Sequence, residues 1–360
     1  MSGGVDSSAV CMLLQERGYE VIGLTMRMWD VTSQFKEGAD EPSFVLEARE
    51  LACRLGIEHH TLDVRDDFRK TVVADFINEY MAGRTPNPCV MCNLFFKWRY
   101  LLEMADRLNC DRVATGHYAR IVEINGLLHI ANGLDPLKDQ SYFLWRLGQK
   151  ELQRTLFPLG EMNKEEIKKY VLEKGFREKA EKKESMEVCF VENDYRDFLR
   201  THVPDIDLQI GSGHFVDDQG RKIGAHKGFP FYTIGQRKGL EIALGYPAYV
   251  VRINPQKNTI RLGVKEDLLT SRMLVRDCNF PDPSLLGAEN LTVRIRYRSI
   301  PLHFTVTDRD ETHVMIEFDA PASAVTPGQS AVFYKEDVVI GGGIIADTRE
   351  TKKYKFKPLI

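Results

Sequence analysis

The sequence begins with a glycine- and serine-rich loop that runs directly into a helix. Residues 2–8 read Ser-Gly-Gly-Val-Asp-Ser-Ser, and apolar residues at helical spacing follow until Gly18, a typical helix stop. Two glycines let backbone amides approach an anion closely, and the helix N-terminus adds unpaired N–H groups and a positive dipole end. The loop therefore predicts a pyrophosphate cradle. A serine N-cap preceded by a glycine turn is the alternative that these residues alone leave open.

Strand and helix signals alternate through the first half of the chain. Helices are predicted over 7–17, 43–55, 67–81 and 93–108, and strands over 20–26, 58–64 and 112–115. This alternation predicts an α/β fold with a doubly wound parallel sheet. A phosphate loop ordinarily follows a buried central strand, and only Met1 precedes it here. We therefore expect a sheet without its first strand, or a misassigned or shortened start of the chain.

The second half of the chain has a different pattern. Asn125-Gly126 between two alternating runs predicts a hairpin, and the mixed charges of 164–184 indicate a solvated helical face. Beyond about residue 206, short strands separated by Gly, Pro, Asn and Asp predict one or two small β domains. With 360 residues, we expect a catalytic domain over 1–205, a mostly-β central domain over 206–270 and a C-terminal β-barrel over 271–360.

Charge and cysteine content restrict the class of protein. The chain has 49 Lys and Arg against 52 Asp and Glu, a net charge of -3 that at first argues against nucleic acid. Residues 219–263, however, carry eight Lys or Arg and one acid, Glu241, which predicts a surface for a polyanion; a solvated β surface is the alternative. Seven cysteines, an odd number, argue against a disulfide framework and predict a reduced, cytoplasmic protein. No apolar run reaches the ~20 residues of a membrane span.

Three cysteines stand out by their sequence context. Residues 83–93, GRTPNPCVMCN, place Cys89 and Cys92 near the predicted start of a helix, where a thiolate is favoured. The Cys-x-x-Cys spacing is typical of a redox pair or of half a metal site, and no second such pair follows. Cys189 alone indicates a buried core cysteine. The remaining four are interpreted as core residues: Cys11, Cys53, Cys110 and Cys278.

Together with residues 2–8 and 83–93, several strings resemble those of the tRNA-specific 2-thiouridylases. They are ATGHYAR (114–120), LKDQSYFLW (137–145), SMEVCF (185–190), HKGFPFYTIGQRKGL (226–240), RIRYRS (294–299) and TPGQSAVFY (326–334). The first loop itself resembles the PP-loop of the N-type ATP pyrophosphatases. The resemblance spans nearly the whole chain and implies ATP-dependent 2-thiolation of the wobble uridine of tRNA. ATP would adenylylate uridine O2, and a cysteine persulfide would then replace that oxygen with sulfur and release AMP.

The resemblance also implies roles for individual residues. The ATP phosphates, with Mg²⁺, would be held by Ser2, Gly3, Gly4, Val5, Asp6, Ser7 and Ser8, and the nucleotide would also contact Met26 and Gly116. Cys189 would carry the persulfide. Cys92 would be the partner nucleophile that forms a transient disulfide with it. A cysteine desulfurase or a sulfur-relay protein would supply the sulfur.

Contacts to tRNA follow from the same resemblance. Asn87, Pro88 and Cys89 would meet the target base, and the anticodon would approach His117, Lys138, Asp139, Gln140, Arg296, Tyr297 and Gln329. Cys89 stands where many members have an aspartate. This departure leaves open an iron–sulfur cluster held by Cys89, Cys92 and Cys189. A different PP-loop ligase and a non-catalytic RNA-binding protein also stay open as functions. Taken alone, RIRYRS indicates a strand with a basic face.

Overall fold

The elements follow the predicted alternation in the computed structural model, which describes residues 1, 3–31, 34–35, 38, 40–180, 188–347 and 354. Ser2 and residues 185–187 of the SMEVCF string lie outside the described residues. The helices are α1 (Val5–Glu16), α2 (Ser43–Leu55), α3 (Arg65–Phe68), α4 (Ala74–Met81), α5 (Pro88–Cys92), α6 (Arg99–Arg107), α7 (Gln149–Gln153), α8 (Lys164–Glu173), α9 (Arg177–Ala180), α10 (Tyr195–His202) and α11 (Ile206–Ile210).

The strands become longer and more frequent toward the C-terminus. They are β1 (Ile22–Arg27), β2 (Glu58–Asp63), β3 (Val113–Ala114), β4 (Ala119–Ile124), β5 (Leu127–Asn132), β6 (Thr155–Leu156), β7 (Gly213–Val216), β8 (Lys222–His226), β9 (Tyr249–Asn254), β10 (Thr259–Gly263), β11 (Leu269–Asn279), β12 (Leu291–Arg294), β13 (Leu302–Arg309), β14 (Val314–Ser323), β15 (Ser330–Lys335) and β16 (Val338–Ile345). None of the helices formed by the described residues has the length and apolar character to cross a membrane.

The described residues divide into two units. The first comprises those within Met1–Val73, Cys89–Glu192 and Asp337–Val339, and the second those within Ala74–Pro88, Asn193–Glu336 and Ile340–Ile360. The predicted division into three domains stays a proposal. The two units are described separately below.

Parallel strands and helices make up most of the first unit. β1 pairs in parallel with β2, and β3 pairs in parallel with β6, so the described strands form two separate parallel pairs. Met1 lies beside β1, where its amino group donates to Leu24 O and its carbonyl accepts from Thr25 Oγ1 at 2.8 Å. The predicted hairpin is confirmed: Asn125 and Gly126, both with positive φ, connect β4 to β5.

Two of the predicted helices contain a turn of π-helix. The helix predicted over 67–81 consists of α3, a π-helical segment over Arg69–Val73 and α4. The helix predicted over 93–108 begins earlier, at Pro88, and contains a π-helical segment over Asn93–Trp98 before α6. Proline is favoured in the first turn of a helix because its missing N–H would have no partner there. Single π-turns inside helices are frequent at functional sites.

The core of the first unit joins α1 to α8. Val5, Ala9 and Val10 of α1 pack in one buried cluster with Ile167 and Val171 of α8. The start of α8 is fixed by a capping box. In it, the Asn163 side chain accepts from Glu166 N at 2.9 Å and Glu166 Oε2 accepts from Asn163 N at 2.8 Å. This packing brings the first residue of α8 beside the first turn of α1.

The second unit is mostly β. A four-stranded sheet has the order β8-β7-β10-β9, and six further strands form a closed barrel in the order β11-β14-β13-β12-β15-β16, with β11 pairing back to β16. The expected β-rich second half is thereby confirmed. The strand interpretation of RIRYRS is wrong beyond Arg294, where β12 ends. Arg296 N donates to Ser299 Oγ at 3.3 Å and Arg298 has a φ of 60°, which closes a turn.

Replacing Gly160 by alanine is expected to destabilise the first unit. An added Cβ would overlap the carbonyl group of Ala119, so one of the two backbone segments would have to move. Overpacking of this kind costs about 1–3 kcal/mol. Gly287→Ala is the control, because no heavy atom lies within 4 Å of its added Cβ. Thermal unfolding followed by calorimetry should show a lower transition temperature for Gly160→Ala only. Equal transition temperatures for the two variants would contradict the packing described here.

Candidate active site

The phosphate loop ends in an uncapped helix N-terminus. Gly3 has a φ of 67°, which favours glycine, and Gly4 is the N-cap of α1 in an extended conformation without a side-chain cap. The serine N-cap alternative is therefore wrong. The hydroxyls of Ser7 and Ser8 instead donate to Gly4 O at 3.1 and 2.9 Å. The N-cap position thus supplies no side-chain cap to this end of α1, a position at which an anion can bind.

Asp6, in the first turn of α1, is paired with a buried lysine. Lys164 Nζ lies 2.7 and 2.9 Å from the two carboxylate oxygens of Asp6, and the Tyr118 hydroxyl donates to Oδ1 at 2.7 Å. Lys164 is only 5% exposed. Gly116 follows β3, and a Cβ there would lie 3.2 Å from Asp6 Cβ and 3.6 Å from Ser7 N. Gly116 therefore lies directly against the loop.

A second ion pair lies beside Gly3. A Cβ added at Gly3 would come within 2.8 Å of Glu47 Cβ, and Glu47 Oε2 lies 3.1 Å from Lys179 Nζ. Lys179 is 6% exposed. Sequence reasoning missed both lysines, because it interpreted 164–184 as a solvated charged face. That interpretation is wrong for Lys164 and Lys179. The alternation of charges holds no signal that these two point inward, and only the packing of α8 and α9 reveals it.

The fold brings the three singled-out cysteines to one place. Cys92 is buried, whereas Cys89 and Cys189 keep exposed surface. Lys97, five residues beyond Cys92 across the π-helical segment, interacts electrostatically with all three thiols. All seven cysteines are unpaired thiols. The interpretation of Cys53 as a core residue is wrong, since it is exposed, and Cys11 is buried as predicted.

Aromatic contacts hold the Cys189 segment against the Cys92 helix. Phe190 is 2% exposed and meets Phe68 edge-on, with 5.6 Å between ring centroids. Phe68 in turn packs on Phe96 at 5.1 Å, and Phe190 also contacts Trp29 at 6.1 Å. Because Phe96 directly precedes Lys97, this aromatic cluster places Cys189 near the ammonium group and near Cys92.

The thiols are protonated at neutral pH, contrary to the prediction of a favoured thiolate. Burial raises the pKa of Cys92 to about 12 and that of Cys189 to about 11, although Lys97 opposes both shifts. Protein atoms crowd the sulfur of Cys189 closely enough that desolvation dominates despite its exposed surface. The helix dipole gives Cys92 little help, because this residue is the fifth of the continuous helix that begins at Pro88 and lies beyond its first turn.

His117 is a neutral imidazole. Burial, together with the Lys97 charge, lowers the pKa of His117 to about 3. Its Nδ1 lies 2.9 Å from Thr115 Oγ1, and its ring lies between Trp98 and Phe157 at centroid distances of 5.6 and 6.2 Å. Any contact of His117 with RNA is therefore a neutral hydrogen bond or stacking and not an ion pair.

Asp139 and Gln140 stabilise the loop that carries them. Asp139 is buried, and its Oδ1 accepts from Gly133 N and Ser141 N, both at 3.1 Å. Gln140 Oε1 accepts from Tyr118 N at 3.1 Å. Lys138, beside them, is half-buried. These bonds place the loop next to Tyr118, the residue that also contacts Asp6.

The remaining predicted residues are divided between the units. Met26, half-buried in β1, pairs with Leu62 in the first unit. In the second unit, Gln329 Nε2 donates to Thr85 O at 2.9 Å and to Pro86 O at 3.0 Å. Gln329 thus supports the segment that leads to Asn87 and Pro88. Also in the second unit, Arg296 is exposed and Tyr297 half-buried in the turn after β12.

The three cysteines are not arranged as a metal site in the described residues. Within the described part of the chain, no three His, Cys, Asp or Glu side chains are grouped so that they could hold a metal ion. Cys89, Cys92 and Cys189 all belong to that part.

Family models match nearly the whole chain in three segments. A tRNA methyl transferase HUP domain matches residues 1–193, a tRNA methyl transferase PRC-barrel domain matches 196–264, and an aminomethyltransferase β-barrel domain matches 270–345. The fold is therefore a HUP-type, PP-loop α/β domain followed by a PRC-barrel-like middle domain and a C-terminal β-barrel. It defines an ATP-using, tRNA-modifying class of enzyme.

Similar proteins are known by name. A tRNA-specific 2-thiouridylase MnmA 3 of Phocaeicola vulgatus is 58% identical over 355 residues, covering 98% of this chain and 95% of the relative. One from Bacteroides fragilis is 54% identical over 97% of this chain and 93% of its own. A tRNA-specific 2-thiouridylase MnmA 2 of Clostridium tetani is 44% identical over 96% of this chain and 97% of its own. The chain belongs to the tRNA-specific 2-thiouridylase family.

Alkylation of Cys189 is expected to report the charge of Lys97. Since the pKa of Cys189 lies near 11, its rate with iodoacetamide should rise about tenfold per pH unit from pH 7 to 9 without a plateau. Lys97→Met removes the cation that favours the thiolate. At pH 8 it should slow alkylation roughly threefold to tenfold, as a pKa rise of about half a unit to one unit would.

Mass spectrometry of the labelled peptides gives the rate for each cysteine. Exposed Cys53 is the internal reference, and Lys150→Met, which removes an exposed charge on α7, is the matched control. A Cys189 rate that levels off below pH 8, or that Lys97→Met leaves unchanged, would contradict the electrostatics described here.

Proposed function

We propose that this protein 2-thiolates the wobble uridine of tRNA with ATP and a cysteine persulfide. The observation that carries the proposal is the grouping of Cys92 and Cys189 around Lys97, in the same unit as the uncapped phosphate loop. Sulfur transfer needs two thiols that can reach each other, and ATP activation needs a polyphosphate site. The names of the relatives, tRNA-specific 2-thiouridylases, agree with the transfer of sulfur to a uridine of tRNA.

The first chemical step activates the base. Residues 3–8, with Mg²⁺, hold the phosphates, and Met26 and Gly116 lie on the nucleotide side. Uridine O2 attacks the α-phosphorus, pyrophosphate leaves, and O2 becomes part of an AMP leaving group. Asn87, Pro88 and Cys89 position the base, which leaves the anticodon stack at a cost of a few kcal/mol at most.

The second step transfers sulfur. The terminal sulfur of a persulfide on Cys189 attacks C2, and AMP departs with the former O2. The Cys92 thiolate then attacks the Cys189 sulfur, the S–S bond to the transferred atom breaks, and its electrons complete the C=S bond. The Cys92–Cys189 disulfide that results is returned to thiols by a cellular dithiol reductant. A cysteine desulfurase or sulfur-relay protein loads the next persulfide, and the seven free thiols and the tRNA substrate suit the cytoplasm.

Lys97 has a defined role in the proposed transfer of sulfur. A persulfide ionises more readily than a thiol, and the ammonium stabilises whichever sulfur carries the negative charge. It also stabilises Cys92 as a thiolate when that residue attacks. Because Lys97 interacts with all three cysteines, one cation serves both sulfur nucleophiles of the second step.

Sulfur transfer explains the site better than methyl transfer, which the description of the family model mentions. Methyl transfer needs neither a polyphosphate cradle nor a pair of thiols. A PP-loop ligase for a small substrate would leave the two cysteines without a role. A non-catalytic RNA-binding protein would have no use for the phosphate loop.

Replacing either cysteine is expected to abolish 2-thiouridine formation. Cys92→Ser and Cys189→Ser should each lose transfer to unmodified tRNA in the presence of Mg-ATP and a persulfide source, while tRNA affinity stays within about twofold. Cys53→Ser and Cys278→Ser are controls, with thiols outside the group around Lys97. Mass spectrometry of tRNA nucleosides measures the product. Full activity of either single variant would refute the two-thiol mechanism.

The basic stretch of the central domain is expected to bind tRNA phosphates. Its Lys227 is partly neutralised by Glu241 Oε1 at 2.8 Å, which leaves exposed Arg237 and Lys238 as the stronger candidates. Arg237→Ala Lys238→Ala should make the slope of log affinity against log salt shallower by roughly 1.4–1.8.

The matched control removes the same charge from the barrel, through Arg272→Ala Lys335→Ala. Filter binding between about 50 and 300 mM salt, a range that brackets physiological ionic strength, gives both slopes. A slope equal to that of the unsubstituted protein would place the tRNA platform elsewhere.

A further inference from the structure

We propose that Lys164 and Lys179 are positioning residues that neutralise the two carboxylates at the phosphate loop, so that a triphosphate can bind there. The proposal rests on the proposed ATP site and adds the residues that make it electrostatically acceptable to a polyanion. Neither lysine belongs to the loop itself. Lys164 begins α8 and Lys179 lies in α9, and both of these helices pack against α1.

The geometry of the first pair supports this role. Asp6 lies in the first turn of α1, the place where the phosphates would bind, and its side chain is 33% exposed, whereas that of Lys164 is 6% exposed. The ammonium group therefore lies behind the carboxylate. It contacts both carboxylate oxygens, at 2.7 and 2.9 Å, so it cancels the charge of Asp6 without occupying the anion site.

The backbone fixes Lys164 in this position. It is the first residue of α8, directly after the Asn163 N-cap, and its N–H donates to Asp135 Oδ2 at 3.0 Å. Tyr118 adds a hydroxyl donor to the same Asp6 oxygen. The ion pair is thus held between α1 and α8, with further hydrogen bonds from the loops that carry Tyr118 and Asp135. It does not depend on a flexible surface side chain.

The second pair repeats the arrangement on the other side of the loop. Glu47 of α2 lies against Gly3 so closely that an added Cβ would be 3.2 Å from its Oε2, and Lys179 Nζ lies 3.1 Å from that oxygen. The Glu47 side chain is 26% exposed and that of Lys179 is 7% exposed. Again the carboxylate faces the loop and the lysine lies behind it.

Stability alone does not account for these pairs. Removing a lysine from water is costly, and apolar residues of similar volume commonly stabilise a core as well or better than a buried ion pair. Lysine is almost never fully buried unless it is paired. Two such pairs at one loop match the requirement of a ligand with several negative charges, which uncompensated carboxylates would repel.

The test compares nucleotides that differ only in phosphate charge. Adenosine, AMP, ADP and ATP are titrated by calorimetry against the full-length protein and against Lys164→Met and Lys179→Met. We expect ATP affinity to fall at least tenfold in each variant and the loss to grow from AMP to ATP. Adenosine affinity should stay within twofold. Lys168→Met, which removes an exposed lysine of α8, is the matched control and should leave all four affinities unchanged.

Removing the carboxylate separates charge cancellation from a direct contact. Glu47→Gln in the Lys179→Met background should restore ATP affinity to within about threefold, because no uncompensated charge remains at Gly3. Failure of this rescue would overturn the proposal for Lys179. Lys164→Arg should retain most of the ATP affinity, since it keeps the cation.

The outcomes distinguish this inference from the proposed function. If the unsubstituted protein binds ATP and Lys164→Met binds it equally well, the proposed neutralising role of Lys164 is refuted, whereas the proposed ATP site is not. If the unsubstituted protein does not bind ATP, the site itself is wrong. Equal losses for adenosine and ATP would indicate damage to the fold and would also overturn the electrostatic role. Should a methionine variant not fold, Lys164→Gln and the Glu47→Gln Lys179→Met double variant provide the same comparison.

Discussion

The packing of α1 against α8 is the interaction on which the phosphate site depends. Val5, Ala9 and Val10 share a buried cluster with Ile167 and Val171, so the two helices are held together by apolar packing. This contact presents the uncapped N-terminus of α1 and delivers Lys164 behind Asp6. A loop of glycines and serines has no rigidity of its own. It obtains a defined shape from the helix that it begins and from the second helix that lies beside it.

The thiol group follows from a different constraint, the aromatic cluster of Phe190, Phe68 and Phe96. Cys189 is almost a hundred residues from Cys92 in sequence, and packing of Phe190 brings the two thiols together. Desolvation keeps both protonated at rest. Neutral thiols resist oxidation, because the thiolate is the reactive form. In the proposed mechanism, reactivity therefore depends on the persulfide, which ionises more easily, and on the Lys97 cation beside it.

The sequence allowed the order of elements and the phosphate loop to be predicted, because both depend on local patterns. Helix α2 has the predicted bounds, and the Asn125-Gly126 turn follows from backbone preferences of those two residues. The errors concern tertiary environment. The pKa of Cys92 depends on what covers it, and the burial of Lys164 and Lys179 depends on which side of α8 and α9 meets α1. Charge patterns do not report such burial, since a lysine that supports an anion site and one that faces solvent have the same neighbours in sequence.

The proposed phosphate and thiol sites use lysines in two different ways, and the difference follows from the charge of the group that each site receives. At the loop, the carboxylates of Asp6 and Glu47 are already negative, so each lysine forms an ion pair with a carboxylate before any ligand binds. At the thiols, the cysteines around Lys97 are neutral at rest, and they balance its charge only when a sulfur ionises. A lysine that is paired with a carboxylate cancels its charge, so an incoming polyanion binds at a surface without net negative charge. A lysine beside neutral thiols favours the formation of an anion in place, which is what a sulfur nucleophile must become in order to react.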